Sequence, residues 1–159
     1  MTRIEYRLAT PADAAELAEL RWRFRAEDGE PVRCDRESFA GACAAFFRRE
    51  MAEERQANWL ALEDDGIVAC VTVHRVPLVP RPCRIVDAFG VVTNSYTLPE
   101  RRGRGIGTEL LEHVEAWARN EDLELLIVWP SEQAASLYRR AGFSDEHDIL
   151  QFQLRPYVS

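Results

Sequence analysis

The residues best suited to do chemistry lie together in one short stretch of the chain. Residues 99–108 read PERRGRGIGT, with three glycines placed among arginines. Gly103, Gly105 and Gly107 have no Cβ, so the backbone amides around them can turn towards a ligand oxygen without steric penalty. The apolar spacing that follows predicts a helix whose N-terminus points at the same place, where its dipole favours an anion. The stretch therefore predicts a binding loop for a phosphate or a pyrophosphate.

Three kinds of glycine-rich anion loop can be compared with this stretch. A Walker loop needs a lysine near its end, but all 20 residues in the Lys and Arg count of this chain are arginines. A Rossmann loop should close the first strand of a parallel unit and precede an acidic ribose ligand, whereas this loop lies far along the chain. The third kind, Arg-x-x-Gly-x-Gly, is satisfied by Arg102, Gly105 and Gly107.

A second motif lies downstream, where residues 131–143 read SEQAASLYRRAGF. The two motifs, in this order and at this separation, resemble the GCN5-related N-acetyltransferase (GNAT) superfamily. In that family the first loop binds the pyrophosphate of acetyl-coenzyme A, and the second segment reads Asn-x-x-Ala-x-x-Leu-Tyr-x-x-x-Gly-Phe. Ser131 stands in place of the usual Asn. The resemblance covers roughly residues 91–143, and the first half of the chain carries a weaker one.

The resemblance implies acetyl-CoA as cosubstrate and assigns its contacts residue by residue. Amides near Tyr96 and Thr97 would hold the pantetheine arm or the thioester oxygen, and the amides of residues 102–108 would hold the diphosphate, with Arg102 and Arg104 as charge partners. The full set of expected contacts is Tyr96, Thr97, Leu98, Arg102, Gly103, Arg104, Gly105, Ile106, Gly107, Thr108 and Ser131.

One catalytic residue also follows from the resemblance. Tyr138 occupies the position that donates a proton to the leaving coenzyme A thiolate, and a phenol with a pKa of about 10 suits that task. A glutamate that some members carry on the preceding strand corresponds to Val91. By chemistry alone, Asp87, His74 and Glu30 are substitutes for that base, and loss of the amine proton to water is the remaining alternative.

Composition narrows the choice of partners. The formal net charge of −7 argues against nucleic acid, since phosphate contacts need a basic face, and is compatible with a cationic amine as substrate. We expect no membrane span and no signal peptide, and therefore a cytoplasmic protein. The four cysteines are scattered without a Cys-x-x-Cys pair, so no metal site is expected.

The predicted architecture is an α/β domain. A chain of 159 residues has the size of one domain, which we assign to residues 1–159. The order matches the GNAT fold, with a mixed sheet of six to seven strands, about four helices, and strands that splay on either side of the helix after the glycine loop. The predicted strands span residues 4–8, 58–63, 67–76, 85–96 and 123–129, with closing strands near Phe143 and over Ile149, Phe152 and Leu154; the predicted helices span 11–26, 35–54, 106–120 and 132–141.

The leading hypothesis is an acetyl-CoA-dependent N-acetyltransferase. It would transfer an acetyl group to a primary amine of a small molecule or peptide by direct attack in a ternary complex. The alternative is a non-catalytic acyl-CoA-binding regulatory domain of the same fold, motivated by Val91 and Ser131 at positions where the family has Glu and Asn. The acceptor, the acyl chain length and a homodimer, which is frequent in the family, stay open.

Overall fold

The computed structural model describes residues 3–145 and 148–155. Within them the chain forms β1 (Glu5–Leu8), α1 (Ala14–Glu27), α2 (Arg36–Ala52), β2 (Gln56–Glu63), β3 (Gly66–Pro77), β4 (Ala88–Thr97), α3 (Ile106–Asn120), β5 (Leu126–Val128) and α4 (Ala135–Arg140). The strands make one sheet in the order β1-β2-β3-β4-β5. The first four strands pair antiparallel and β5 pairs parallel to β4, which confirms the predicted mixed sheet.

Local signals in the sequence account for the turns and helix starts. The β2–β3 hairpin turns at Asp64 and Asp65, with φ of 51° and 65°, the left-handed pair that a two-residue hairpin turn requires. Asp35 caps α2, because its Oδ1 accepts from the amide of Ser38 at 2.8 Å and so satisfies one of the unpaired amides of the first turn. The hairpin thus lies between the predicted strands 58–63 and 67–76, and α2 begins at Arg36, next to the predicted start at residue 35.

Helices cover both faces of the sheet. On one face, α3 packs Leu110 and Val114 against Val73 and Val92 of the central strands. On the other face, α1 and α2 contribute a second core that includes Leu17, Phe47 and Leu60. The two layers hold β3 and β4 rigidly between them, which fixes the end of β4 where the glycine loop begins.

The two strands next to the glycine loop separate from one another. β4 and β5 pair only through residues 90–92 and 126–128, and β4 then continues to Thr97 beside β3 alone. The β3–β4 register shifts between Cys70 and Thr72, and Asn94 has a φ of 49° at this bulge, which bends a strand locally. The predicted splay is confirmed, and it opens a wedge beside residues 93–97.

The predicted number of strands is wrong: the described residues form five strands rather than six to seven. Ile149, Phe152 and Leu154 alternate as a strand would, but they are 57%, 88% and 86% exposed and form no ladder. Alternation produces a strand only where one face is buried, and these side chains have no layer beneath them. Phe143 is likewise irregular and follows the end of α4.

Two other strands are shorter than expected. β4 starts at Ala88 rather than residue 85, because Ile85 and Val86 are exposed and belong to the connection from β3. β5 covers only residues 126–128 of the predicted 123–129, and Trp129 is 58% exposed. The mostly apolar sequence of residues 123–129 predicts a strand buried on both faces, and this prediction is wrong, because residues 126–128 are only partly buried. Helix α4 also begins at Ala135, later than predicted, because a turn occupies residues 132–134.

Gly90 provides a test of how tightly β5 packs. A Cβ at Gly90 would lie 2.5 Å from Cδ2 of Leu126 and 2.8 Å from Cγ1 of Val73, so Gly90→Ala should lower the free energy of unfolding by about 1–3 kcal/mol. Gly41, inside α2, has no atom within 4 Å of its Cβ position, and Gly41→Ala should raise stability by about 0.5–1 kcal/mol. Urea unfolding of both variants measures this contrast. Equal effects of the two substitutions would contradict the packing described.

Candidate functional site

The glycine loop has the backbone conformation expected of an anion-binding turn. Gly103 and Gly105 have φ of 74° and 79°, a region that residues with a Cβ rarely adopt. Gly105 is the N-cap of α3, and the first helical bond runs from the amide of Glu109 to the carbonyl of Gly105 at 3.0 Å. The amides before Glu109 in this turn have no carbonyl of the helix within reach. They include those of the predicted contacts Ile106, Gly107 and Thr108.

Gly107 has a different role from the other two glycines. It lies inside α3, where a Cβ would make ordinary contacts with Leu137 at 3.6 Å and Thr97 at 3.8 Å. The start of α3 thus lies against the end of β4 and against α4. The two sequence motifs, which are separate in the chain, meet at this point of the fold.

The arginines of the loop all contact carboxylates. Arg102 pairs with Glu27 at 2.6 Å, and its Nε donates to the carbonyl of Thr97 at 3.0 Å. Arg104 donates to Oε1 of Glu63 at 2.8 Å, and Arg101 binds the other oxygen of the same carboxylate. Two acidic side chains, one on α1 and one at the end of β2, therefore hold the loop against the sheet.

Tyr96 belongs to this charged cluster through its side chain. Its hydroxyl donates to Oε2 of Glu27 at 2.9 Å, and the Arg102 guanidinium lies 5.6 Å from its ring centroid, within cation–π range. Burial, and then the contact with Glu27, raise the pKa of Tyr96 to about 12. The phenol is therefore neutral at physiological pH and serves to orient Glu27.

A cleft of about 510 Å³ lies where β4 and β5 separate. Residues 92–97 of β4 form one wall, residues 128–131 after β5 form the other, and side chains of α1 and α4 close the ends. Residues 93–97 have no partner in β5. On the edge away from β3, this part of β4 therefore faces the cleft. The volume is within the range of small-molecule sites.

Tyr138 lies at the buried side of this cleft. It is 4% exposed and packs edge-on against Phe143, with ring centroids 5.3 Å apart. Burial raises the pKa of Tyr138, and a hydrogen bond with Ser95 acts in the opposite direction. A second cavity of about 310 Å³, on the α4 side of β5, also contacts Tyr138. The phenol is positioned by packing and holds its proton across the neutral pH range.

Several predicted contacts use polar groups inside the protein. The amide of Leu98 donates to the carbonyl of Val68 at 2.9 Å, and the amide of Arg102 donates to the carbonyl of Pro99 at 3.3 Å. The Ser131 hydroxyl accepts from the amide of Ala134 at 3.3 Å, which closes the turn before α4. The Ser131 hydroxyl therefore orders this wall of the cleft.

The sequence-predicted substitutes for a base lie in different places. Val91 is the cross-strand partner of His74, and burial lowers the pKa of that imidazole. Asp87 is buried between Arg81 and Arg84.

The last substitute, Glu30, accepts from Arg25 at 2.8 Å. Asp87 and Glu30 are thus bound to arginines, and the structure brings no base candidate together with Tyr138.

Sequence reasoning missed Glu27 and Glu63, the two carboxylates that hold the loop arginines. It also missed Arg21 and Asn94, which line the cleft. Glu27 and Arg21 lie in α1, and neither residue belongs to a motif that could be recognised in the sequence. The only available signal for Glu63 was its place beside the Asp-Asp-Gly turn, which brings the end of β2 close to the loop.

Within residues 3–145 and 148–155, no group of three or more His, Cys, Asp or Glu side chains is arranged to hold a metal ion. None of the helices in these residues combines the length and apolar character needed to cross a membrane.

The fold and the site agree with a known family. Residues 14–143 match the acetyltransferase (GNAT) family, so the chain belongs to that family and is an acyltransferase of the N-acetyltransferase type. This confirms the resemblance found in the two motifs.

Relatives and solved structures agree with this assignment. The chain is 26% identical over 153 residues to aminoglycoside N(6')-acetyltransferase type 1 of Stenotrophomonas maltophilia, covering 93% of this chain and 91% of that protein. It is 32% identical over 63 residues, 38% of this chain, to the uncharacterized N-acetyltransferase YobR of Bacillus subtilis (strain 168), and that match spans 26% of the Bacillus protein. A predicted acetyltransferase from Clostridium acetobutylicum, solved with acetyl-CoA, has the same fold, with a TM-score of 0.80, 24% identity and coverage of 96% and 97% of the two chains.

Acid titration tests the two carboxylates that hold the loop. Arginine hydrogen bonds lower the pKa of Glu27 and of Glu63 below the usual 4.5, with Arg102 and Arg104 as the respective main causes. A lowered pKa in the folded state contributes stability above pH 4.5, and that contribution is lost as the pH falls through the lowered value. Glu63→Gln should therefore destabilise the protein at pH 7, and by progressively less as the pH falls below 4.5.

Chemical unfolding at pH 7, 5 and 3 measures this effect. Glu112→Gln, on the exposed face of α3, is the matched control and should show a small difference throughout. A penalty for Glu63→Gln that stayed constant from pH 7 to pH 3 would contradict an ionic role for this side chain.

Proposed function

We propose that the protein transfers an acetyl group from acetyl-CoA to the primary amine of a small molecule or peptide. The observation that carries the proposal is the cleft between β4 and β5. It opens beside the left-handed glycines of the loop and has Tyr138 at its buried side. Membership of the acetyltransferase (GNAT) family and the similarity to a structure solved with acetyl-CoA support the same donor.

The glycine loop suits a diphosphate in both shape and charge. Its two left-handed glycines leave open space, since no atom lies within 4 Å of the Cβ position of either Gly103 or Gly105. The α3 N-terminus adds amides and the positive end of a helix dipole. Arg102 and Arg104 are beside the loop, and their carboxylate partners would share them with the bound anion.

The rest of the donor would occupy the wedge between the strands. Residues 93–97 supply backbone groups that β5 does not use, and an N–H there can polarise a thioester carbonyl. Trp129 and Leu137, on the opposite side of the cleft, offer apolar contact to an extended arm. This arrangement would direct the thioester towards Tyr138.

The reaction is a direct displacement at the thioester carbonyl. The neutral amine nitrogen attacks the carbonyl carbon, so a C–N bond forms and the C–S bond breaks. Tyr138 gives its proton to the departing thiolate, the new amide nitrogen loses one proton to solvent, and the phenolate regains one from solvent. The products are the acetylated amine and coenzyme A thiol, and protons balance.

Tyr138→Phe tests the proton donor. Removing the hydroxyl should lower kcat by about 100-fold or more, because general acid catalysis contributes 10²–10⁴-fold, while acetyl-CoA affinity stays the same. Thiol release with an amine panel that includes an aminoglycoside measures kcat, and calorimetry measures affinity. Tyr6→Phe is the matched control, since Tyr6 stacks on His113 away from the cleft. Unchanged kcat in Tyr138→Phe would remove this residue from the mechanism. If none of the amines tested causes thiol release, the proposed catalysis is contradicted.

Arg102→Gln and Arg104→Gln test the diphosphate site. Each variant should weaken coenzyme A binding by about 10-fold, since a hydrogen bond to a charged group is worth about 1.5–3 kcal/mol. Arg119→Gln is the control, because Arg119 pairs with Glu115 on the exposed side of α3. Thermal unfolding of each variant separates lost affinity from lost folding. Equal affinity in all three folded variants would contradict the assigned position of the diphosphate.

A further inference from the structure

One arginine of the cleft, Arg21, has no carboxylate in direct contact. The charged residues among the cleft lining are Arg21, Arg25, Glu27, Asp28 and Arg102. Arg25 pairs with Asp28 at 3.0 Å and with Glu30 at 2.8 Å, and Glu27 pairs with Arg102 at 2.6 Å. Among the residues that the structure describes, no carboxylate lies within 4 Å of Arg21, and Glu30 acts on it only from a longer distance. Arg21 is therefore the lining arginine whose guanidinium is left for a ligand carboxylate to contact.

Arg21 also differs from the other arginines without an acidic partner. In the described part of the chain these are Arg3, Arg33, Arg48, Arg140 and Arg155, and all of them are exposed, whereas Arg21 is partly buried. Burial is the largest cause that lowers the pKa of Arg21, and the nearby charge of Arg25 adds to it. An arginine keeps its proton in proteins, so a cation is held in a partly desolvated position with no carboxylate in direct contact and only the more distant charge of Glu30 to offset it. Such an arrangement is costly unless an anion joins it.

The guanidinium is held in place by its neighbours. Nη1 of Arg21 donates to Oδ1 of Asn94 at 3.3 Å, and the guanidinium carbon lies 5.5 Å from the ring centroid of Phe24. Asn94 is the left-handed residue at the bulge of β4. These contacts use part of the donor fork of Arg21, which has five N–H groups, and leave others for a ligand.

A buried chain of hydrogen bonds fixes the orientation of Asn94. Its Nδ2 donates to Oγ1 of Thr72 at 3.2 Å, and the Thr72 hydroxyl donates to Oδ1 of Asn58 at 2.6 Å. Asn58 then donates to Oε1 of Gln56 at 3.0 Å. Thr72, Asn58 and Gln56 are all buried. Because Nδ2 is committed to Thr72, the carbonyl oxygen of Asn94 is turned to Arg21.

We propose that Arg21 binds a carboxylate of the acceptor, so that the acceptor is an amino acid or another amine that carries a carboxylate. This inference rests on the proposed acetyl transfer and names its substrate class. Arg21 and a carboxylate can form a charge-assisted, two-pronged contact. An acceptor with only cationic groups, such as an aminoglycoside, would be repelled by the same side chain.

Pairs of acceptors that differ only in the carboxylate test the inference. L-phenylalanine and L-phenylalaninamide, and L-leucine and L-leucinamide, share their amine and side chain. Thiol release from acetyl-CoA should give a kcat/KM about 10- to 100-fold higher for each acid than for its amide, after correction for the fraction of neutral amine. An aminoglycoside is the third arm and should be turned over poorly. If the amides or the aminoglycoside give a kcat/KM equal to or higher than that of the acids, the inference is overturned, while the proposed acetyl transfer stands.

Variants of Arg21 tie the preference to this side chain. Arg21→Gln should reduce kcat/KM for the acids about 10- to 100-fold and leave the amides nearly unchanged, and Arg21→Lys should retain part of the preference. Arg23→Gln, on the exposed side of the same helix, is the matched control and should keep it. Equal losses for acids and amides in folded Arg21→Gln would contradict a carboxylate contact.

Binding measurements separate this inference from the proposed function. Calorimetry of each acid and amide with the coenzyme A-bound protein should show tighter binding of the acid, and Arg21→Gln should abolish the difference. If coenzyme A binds and acids bind in this way but no amine releases thiol, the proposed reaction fails while the carboxylate site stands. If amines are acetylated without regard to a carboxylate, the site fails while the reaction stands. Should Arg21→Gln unfold, the acid and amide comparison in the unaltered protein still decides.

Discussion

The interruption of pairing between β4 and β5 is the constraint on which the site depends. The parallel ladder includes only three residue pairs, from Gly90 to Val92, and two features explain where it ends. Gly90 allows Leu126 and Val73 to approach more closely than any side chain would, so the strands are tightly joined at the base of the wedge. Beyond Val92, the bulge at Asn94 bends β4 locally, and the ladder with β5 is not resumed. Backbone groups that a continuous sheet would have used thus become available to a ligand.

With one exception, the arginines of the site contact a carboxylate. The cations of the loop have carboxylate partners supplied by distant parts of the chain, Glu27 from α1 and Glu63 from β2. These pairs hold the loop in place and keep its arginines close to the turn. Arg21 lacks such a partner among the described carboxylates, and its position is fixed through Asn94 by buried amides. The loop is therefore suited to a diphosphate that shares its arginines with Glu27 and Glu63, whereas Arg21 is suited to a single anionic group.

Sequence patterns predicted the parts of the fold that depend on local chemistry. The hairpin between β2 and β3, the start of α2 near residue 35 and the apolar stripe of α3 each have a local cause, and each is present in the structure. The pattern over Ile149, Phe152 and Leu154 failed because alternation indicates a strand only if another layer buries one face. The register of the bulge and the length of the β4–β5 ladder could not be predicted, since they depend on contacts between strands far apart in the chain.

The residues of the candidate site that belong to motifs could be predicted from the sequence, and the others could not. Gly103, Gly105 and Tyr138 belong to motifs with fixed spacing, and the fold brings both motifs to the cleft. Arg21, Glu27 and Asn94 lie in no motif, and their importance comes from tertiary contacts of side chains that are ordinary in sequence. The position of Val91 marked the lack of a strand glutamate, but only the structure gives its neighbour, His74.

A crystal structure of the protein with coenzyme A would show directly where the donor binds. We expect the diphosphate on the amides of residues 102–108, the pantetheine arm along residues 93–97 of β4, and the sulfur within hydrogen-bond reach of the Tyr138 hydroxyl. Coenzyme A bound away from the glycine loop, or a Tyr138 hydroxyl turned away from the sulfur, would contradict this expectation.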